Sequence, residues 1–210
     1  MGDRIQQSLQ SLAMQNSVTR AAAVLCAALG IYVMVTAWLF IVERRWTRLT
    51  VATVARMAGL AVMAYVASKA LTAVIVDPRP YLVAHARPLI PTARDNGFPS
   101  DHVLLAALLT ASLWWVERRA LAPFAAATLL VMVGRLGVGA HHTIDVLGSV
   151  LIVVVSAALI DRLPLPSAAN KPLPQPWRRL KVVADHDPEG ARAERTGRQL
   201  GSQAGDRTGS

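Results

Sequence analysis

Residues 120–160 read ALAPFAAATLLVMVGRLGVGAHHTIDVLGSVLIVVVSAALI, which is two apolar runs on either side of a polar turn. A helix rises 1.5 Å per residue and a bilayer core is about 30 Å thick, so runs of roughly this length favour transmembrane helices. We place one span at about 120–134 and the next at about 143–160. The turn between them holds ionisable side chains near the membrane surface, namely Arg135, His141, His142 and Asp145.

Three further apolar runs precede this pair. They lie at about 21–42, at about 51–76 with Arg56 and Lys69 inside, and at about 102–116 with a tryptophan pair near its end. Hydrophobic residues make up 53% of the 210 residues, a balance typical of membrane proteins. The sequence therefore predicts an all-α, polytopic membrane helical bundle with about five transmembrane helices.

The two ends of the chain differ from this transmembrane domain, which we assign to residues 21–162. Residues 1–20 place a few apolar side chains among glutamines and serines, a pattern that suits a short interfacial helix or a plain surface helix. Residues 163–210 are rich in Pro, Gly, Ser, Arg and Ala and poor in large apolar residues. This composition indicates a disordered tail.

The distribution of charge predicts the orientation of the bundle in the plasma membrane. With five spans, the links at 43–50 and 117–119 share one side with the C-terminal tail, and all three are basic, so we assign them to the cytoplasm. The N-terminus, the segment 77–101 and the turn 135–142 then face outward. The same distribution argues against nucleic-acid binding despite a net charge of +9, because nine of the 22 basic residues lie in an acid-containing tail after Asp161.

The outward side gathers ionisable groups that suit phosphate chemistry. Arg79, Arg135 and Lys69 are cations that can bind phosphoryl oxygens, the arginines through planar bidentate donors. His141 and Asp145 are four residues apart, and on a helix that spacing places them on one face. A carboxylate that holds one imidazole nitrogen fixes the tautomer and leaves the other nitrogen free to attack.

The sequence Pro99-Ser100-Asp101-His102 stands at the start of the third apolar run. His102 is a second imidazole, which can protonate a leaving oxygen. Ser100 and the amides around Asp101 can donate hydrogen bonds to an oxyanion, especially where a helix begins and directs its N-terminus at the anion.

A metal site is the alternative interpretation of His102, His141, His142 and Asp145. Two arginines and a lysine around these side chains would disfavour a cation. The chain has a single cysteine, Cys26, which lies inside an apolar run. Because there is one cysteine, an internal disulfide and any site with several cysteine ligands are excluded.

These motifs resemble those of the type 2 phosphatidic acid phosphatase (PAP2) superfamily, which includes membrane lipid phosphatases and the vanadium haloperoxidases. The first family motif, a lysine followed by Arg-Pro, is similar to Lys69 with Arg79-Pro80. The second, Pro-Ser-x-His, is similar to the sequence from Pro99 to His102. The resemblance covers about residues 51–160 and implies a helical core like that of the haloperoxidases.

The third family motif is the most specific of the three, because chemically distinct residues meet fixed spacings. It consists of Ser-Arg, five residues, His, three residues and Asp, which resembles Gly134-Arg135 followed by His141 and Asp145. The resemblance implies that His141 is the nucleophile, that Asp145 orients it, and that His102 is the general acid and later the base. It implies no metal and no other cofactor. The residues implied to hold the phosphoryl oxygens are Lys69, Arg79, Ser100, Asp101 and Arg135.

Three departures from the family pattern matter. Lys69 lies ten residues before Arg79 where the usual spacing is seven, and three extra helical residues add about 4.5 Å of rise and turn the side chain by about 60°. The serine of the third motif is Gly134, so one hydroxyl donor is missing. Asp101 replaces the glycine of most relatives and could instead bind a cation, cap the third span or adjust the pKa of His102. The segment 96–102 is similar to the undecaprenyl-diphosphatases of the bacitracin-resistance type, which act in cell-wall biogenesis.

The leading hypothesis is therefore hydrolysis of a polyprenyl diphosphate to its monophosphate on the outer face, through a phosphohistidine. Arg87 and Arg94 are candidates for the second phosphate, or else ordinary loop charges. A second hypothesis keeps the chemistry and changes the substrate to phosphatidic acid or phosphatidylglycerol phosphate. A third, of a different class, is a non-enzymatic membrane transporter or scaffold. The expected partners are a lipid phosphate or diphosphate and the membrane itself.

Overall fold

A computed structural model of the chain describes residues 3–83, 89–92 and 94–174. In these ranges the regular structure is helical, with isolated β-bridges and no strand, which confirms the predicted fold class. The helices are α1 (Arg4–Ala13), α2 (Ser17–Ala28), α3 (Gly30–Arg45), α4 (Val51–Thr72), α5 (Pro80–Val83), α6 (Asp101–Val116), α7 (Leu121–Gly137) and α8 (Thr143–Arg162). Short 3₁₀ turns lie at Trp46–Arg48, Arg118–Ala120 and Ser167–Asn170.

The predicted spans correspond to helices, but their count of five is not confirmed. Helix α4, helix α7 with the 3₁₀ turn before it, and helix α8 are each long and apolar enough to cross a membrane. Helices α2 and α3 pass the same test only as a pair, which is bent by 46°. Helix α6 is apolar but has 16 residues. The described part of the chain thus has three such helices, or four if the bent pair is one span.

The bend between α2 and α3 divides the predicted span 21–42. The break falls at Leu29, and Gly30 opens α3 at a point where a β-carbon would be 3.0 Å from the Val131 side chain. Upstream, Asn16 caps α2 by accepting hydrogen bonds from the backbone amides of Val18 and Thr19, each at 2.9 Å. Helix α2 thus begins at a well-defined cap and packs along α7.

Helix α6 occupies the centre of the bundle, because it packs against α3, α4, α7 and α8. Its small and medium apolar side chains allow close approach on several sides, and Val103, Ala106 and Leu113 have no exposed surface. The buried cluster around them draws side chains from α3, α7 and α8. This position fixes the N-terminus of α6, which carries Asp101 and His102, against the neighbouring helices.

Both ends of the described chain pack on the bundle. Helix α1 was predicted as an interfacial or surface helix, and the structure places it against α7, with the Gln6 side chain 3% exposed and its amide 3.5 Å from the carbonyl oxygen of Leu136. The first part of the predicted disordered tail instead pairs with the start of α4: Val51 donates to the Lys171 carbonyl at 3.1 Å and Leu173 to the Leu49 carbonyl at 3.0 Å. Residues 175–210 lie outside the described residues.

Candidate active site

Several of the polar residues that the sequence singled out, among them Arg79, Arg135 and His141, converge at one end of the bundle. The C-terminus of α7 and the N-termini of α6 and α8 meet there with the connections on either side of α5. His141 lies at the centre, in the turn from α7 to α8, and its side chain is 2% exposed.

Local sequence explains the shape of this turn. Gly139 has a φ of 72°, a left-handed conformation that glycine adopts without steric cost. The amide of Ala140 donates to the Arg135 carbonyl at 3.2 Å, which closes the end of α7. The amide of His142 donates to Oδ2 of Asp145 at 2.9 Å, so that Asp145 caps the start of α8. The turn therefore holds His141 rigidly between two helix ends.

Two guanidinium groups face the same nitrogen of His141. Nε2 lies 3.1 Å from an Nη atom of Arg79 and 3.1 Å from an Nη atom of Arg135. Both arginine side chains are buried, with 7% and 6% of each residue exposed. Donors on a guanidinium cannot accept a hydrogen bond, so Nε2 must present its lone pair to them.

The other nitrogen of His141 faces acceptors. Nδ1 lies 2.9 Å from the carbonyl oxygen of Gly97 and 3.4 Å from Oδ2 of Asp145. A carbonyl oxygen only accepts, so the ring proton resides on Nδ1 and the lone pair on Nε2. The Asp145 carboxylate lies near this nitrogen, but the Gly97 carbonyl, which sequence reasoning missed, is the nearer partner.

Burial, followed by the charges of Arg135 and Arg79, lowers the pKa of His141 to about 3. The imidazole is therefore neutral at neutral pH, and its Nε2 lone pair is free for nucleophilic attack once the arginine donors turn to an anion.

Arg79 is held on both sides. Its Nε and one Nη donate to Oδ1 of Asp95 at 3.0 and 2.7 Å, and the other Nη donates to the Ala140 carbonyl at 3.2 Å. The hydrogen bonds from Arg79 hold the pKa of Asp95 below its usual value, so this carboxylate is charged at neutral pH. Asp95 thereby fixes the plane of the guanidinium.

Ser100 and His102 stand at the N-terminus of α6. Ser100 has no exposed surface, and its Oγ finds no hydrogen-bond partner among the described residues. His102 is half-buried, and the charges that act on its ring include those of Arg135, Asp101 and Arg79. An unpaired buried hydroxyl at a helix N-terminus suits an oxyanion ligand. Arg135 shares this feature, because its buried Nε is also unpaired within the same ranges.

The structure does not bring Lys69 to these groups. Its side chain is exposed on α4, with Nζ 5.5 Å from the ring centroid of Tyr65. The position seven residues before Arg79 is Thr72, whose hydroxyl donates to the carbonyl of Ser68 at 2.8 Å and of Phe98 at 3.2 Å. A neutral hydroxyl with backbone partners therefore stands where the family spacing would place the lysine.

Two further predicted anion ligands lie outside the buried cluster. Asp101 is in the first turn of α6 and is exposed, and Arg94 is exposed in the connection before it. Arg87 lies outside the described residues, as does His85.

Asn96 organises the connection that carries Gly97, a role that the sequence did not indicate. Its side-chain oxygen accepts from the amides of Asp77 at 2.9 Å and Phe98 at 3.2 Å, and its nitrogen donates to the carbonyls of Thr72 and Ile75. Next to it, a β-carbon on Gly97 would lie 2.9 Å from the Asp77 carbonyl and 3.0 Å from the Asp145 carboxylate. Only glycine therefore fits where the backbone approaches His141.

Packing explains the glycine that replaces the serine of the third motif. A β-carbon on Gly134 would lie 2.6 Å from the amide nitrogen of Ala27 and 2.8 Å from the β-carbon of Cys26. Residue 134 therefore faces α2 at a close helix crossing, where a serine side chain would collide with the backbone.

A second cluster lies beside the first and contains Asp77, His142 and Asp145. One ligand atom from each lies within 4.8 Å of the others, and Nδ1 of His142 is 3.1 Å from Oδ2 of Asp77. Burial and the nearby Asp145 carboxylate raise the pKa of Asp77. Of the side chains in the alternative metal interpretation, only His142 and Asp145 meet here, and both already take part in hydrogen bonds within the protein.

Comparison with known proteins gives three results. The PAP2 superfamily matches residues 54–165, which is more than half of the chain. Undecaprenyl-diphosphatase BcrC of Bacillus subtilis (strain 168) is 28% identical over 166 residues, covering 77% of this chain and 83% of that protein. The crystal structure of Aquifex aeolicus LpxE is similar with a TM-score of 0.61 at 18% identity, covering 76% of this chain and 93% of that one. The structural likeness supports the fold.

Proposed function

This chain belongs to the PAP2 superfamily, and from that premise we propose that it hydrolyses a polyprenyl diphosphate to the monophosphate through a phosphohistidine on His141. The observation that carries the proposal is the environment of His141. Its Nε2 is neutral, buried and 3.1 Å from each of two guanidinium groups.

The arrangement suits attack on a phosphorus atom. In the first step Nε2 attacks the terminal phosphorus, the N–P bond forms, and the P–O bond to the bridging oxygen breaks, so that prenyl monophosphate leaves. His102 protonates the leaving oxygen as this P–O bond breaks and is left neutral. In the second step His102 takes a proton from water, the water oxygen attacks the phosphorus, and inorganic phosphate leaves as the N–P bond breaks.

Electrostatic stabilisation comes from groups that are already in place. Arg79 and Arg135 each hold a donor 3.1 Å from Nε2, from where it can turn to phosphoryl oxygens in front of that nitrogen, and the unpaired Ser100 hydroxyl is a further donor. The backbone carbonyl of Gly97 holds the Nδ1 proton, and Asp145 lies where it stabilises positive charge on the ring. Preorganised donors of this kind supply the largest share of many enzymatic rate enhancements.

The substrate class rests on likeness and on the lipid environment. The relative with 28% identity is named an undecaprenyl-diphosphatase, and helices α4, α7 and α8, which are long and apolar enough to cross a membrane, leave the candidate site at one end of the bundle. A lipid with an anionic headgroup would reach that end from the bilayer.

The proposed orientation puts the site on the extracytoplasmic side and the C-terminal tail in the cytoplasm. The support is the charge at the opposite end of the bundle, where Arg44 and Arg45 end α3 and Arg118 and Arg119 precede α7. Arg45 pairs there with Glu117, and the remaining guanidinium groups leave that end basic, as cytoplasmic ends are.

The test is phosphate release by the purified protein in detergent with excess chelator. Undecaprenyl diphosphate, phosphatidic acid and phosphatidylglycerol phosphate are compared side by side, and an alkaline quench traps the acid-labile N–P bond. We expect release mainly from the diphosphate. We also expect His141→Asn to abolish both turnover and the trapped phosphoenzyme, because no other imidazole has the same two arginine contacts among the described residues.

His142→Asn is the matched control, because the two histidines are adjacent and only His141 faces the arginines. We expect this variant to form the phosphoenzyme. A trapped phosphoenzyme in His141→Asn, or preference for a glycerolipid phosphate, would overturn the nucleophile or the substrate respectively.

A further inference from the structure

An apolar groove of about 890 Å³ runs along the outside of the bundle between α4 and α8. Its walls are aliphatic side chains from both helices, and the hydroxyl-bearing residues along it are Thr143 and Ser156. The α8 side chains that border it are open to the surroundings: Leu147 is 55% exposed, Leu151 63% and Val155 49%. A lipid chain could therefore enter the groove sideways from the bilayer.

One end of the groove lies beside the candidate active site. Phe98 lines its upper end and directly follows Gly97, whose carbonyl oxygen is 2.9 Å from Nδ1 of His141. Thr143 also lines this end and lies two positions after His141. Gly148 leaves room for the Phe98 ring at this end, because a β-carbon on residue 148 would be 2.4 Å from that ring. A headgroup at His141 would thus place its lipid tail at the mouth of the groove.

We propose that the groove between α4 and α8 binds the prenyl tail of the substrate and that its depth selects long tails. The proposal rests on the function proposed above and adds the tail site and the residues that set the tail length. The occupant follows from the continuity of the groove with the site and from its apolar lining.

The length of the groove favours a tail longer than one leaflet. Its α8 residues extend from Thr143 to Leu159, and the sixteen steps between these two residues span about 24 Å at the rise of an α-helix. Half of a bilayer core is about 15 Å. The acyl chains of an outer-leaflet glycerolipid end near the midplane, whereas the groove continues past it. A long prenyl chain is a ligand that would use the deep half.

At the deep end of the groove, α4 and α8 come into contact. A β-carbon on Gly59 of α4 would lie 3.1 Å from the Ile160 side chain of α8, so the two helices are in close contact just beyond Leu159. The groove therefore ends at this contact, and a larger side chain in its wall shortens the space that is open to a tail.

The experiment measures kcat/KM for undecaprenyl diphosphate and for farnesyl diphosphate in the wild type and in Val155→Trp. A tryptophan at residue 155 narrows the deep half and leaves the mouth open. We expect kcat/KM for the long substrate to fall about tenfold relative to the short one, since a lost set of methylene contacts is worth about that much. Leu151→Trp, nearer the mouth, should also discriminate against tails of intermediate length such as geranylgeranyl.

Val154→Trp is the matched control, because Val154 is also exposed, at 57%, on the same helix but does not line the groove. It should leave the ratio of the two substrates at the wild-type value. Equal ratios in Val155→Trp and Val154→Trp would overturn the tail site and indicate that bulk lipid fills the groove. A wild-type protein inactive on both diphosphates would instead overturn the proposed function, and the tail site with it.

Discussion

The turn from α7 to α8 and the connection from α4 to α6 both supply groups to His141, but they are built differently. The turn is short, and its geometry comes from its own sequence: Gly139 adopts a left-handed conformation, and Asp145 caps α8 through the amide of His142. Arg135 and Asp145 lie within 3.1 and 3.4 Å of the ring of His141. Spacing along the chain here translates directly into distance in space.

The connection from α4 to α6 depends on contacts distant in sequence. Asn96 ties Asp77 and Phe98 to the end of α4, and Asp95 fixes Arg79. The groups of this connection that contact His141 are the Gly97 carbonyl and Arg79, while Lys69 of α4 is exposed. The comparison teaches that a motif contained in one turn predicts the distances between its side chains well. A motif that crosses a helix end predicts which residue types are present but not where they lie.

The largest expected effect tests whether the two regions contribute equally at the site. Arg79→Ala and Arg135→Ala should each lower kcat by about 100- to 1,000-fold, because each removes one preorganised donor to the phosphoryl group. The two losses should agree within about tenfold, since both guanidinium groups lie 3.1 Å from the same Nε2. Steady-state phosphate release with saturating substrate measures the effect.

The control is Arg94→Ala, which removes an exposed arginine from the same connection as Asp95 and Asn96. It should retain near-normal kcat. If Arg135→Ala were damaging and Arg79→Ala were as active as this control, the connection would only support the fold.

The next effect concerns stability at the α2–α7 crossing. Gly134→Ala should lower the free energy of unfolding by about 1–3 kcal/mol, because its β-carbon would meet the α2 backbone and cause overpacking. Gly137→Ala is the matched control on the same helix, since the nearest atom to its β-carbon would be 3.4 Å away. That control should be neutral or up to about 1 kcal/mol more stable, as alanine favours helix. Thermal unfolding in detergent compares the two.

Activity sharpens this prediction. Since residue 134 faces α2, Gly134→Ser should restore no donor to the phosphate and should not exceed the wild-type kcat. A gain in kcat would mean that the hydroxyl reaches the substrate.

Sequence patterns predicted the helical fold, because the hydrophobic period is a local property. His141 and Asp145 lie 3.4 Å apart, but His141 is in the turn before α8 and not on the helix face that the i, i+4 spacing predicted. The positions of the helices were also predicted within a few residues, although the bend at Leu29 was not, since it depends on how Gly30 packs against Val131. The predicted count of five membrane spans is not confirmed, because α6 has 16 residues and α2 and α3 pass the length criterion only as a bent pair.

The groups that sequence reasoning missed share a physical cause. The Gly97 carbonyl is a backbone atom, so no residue type marks it. Asn96 acts through four contacts, three of which go to residues that only folding brings near. Gly97 has little room for a side chain because Asp77 and Asp145 lie close to it. The sequence does not reveal these neighbours, so it does not show that the backbone approaches closely here.

The smallest expected effect concerns Lys69, the lysine of the first family motif. Lys69→Ala should change kcat/KM by no more than about twofold, because an exposed cation whose nearest aromatic neighbour is Tyr65 contributes mainly to general steering of the anion. That contribution should vanish at high ionic strength, where screening shortens the range of the charge to a few ångströms. Phosphate release at low and at high salt separates the two cases. A loss of about 100-fold that persisted in high salt would mean that Lys69 turns inward when substrate binds, and the connection from α4 would then deliver as many groups as the turn does.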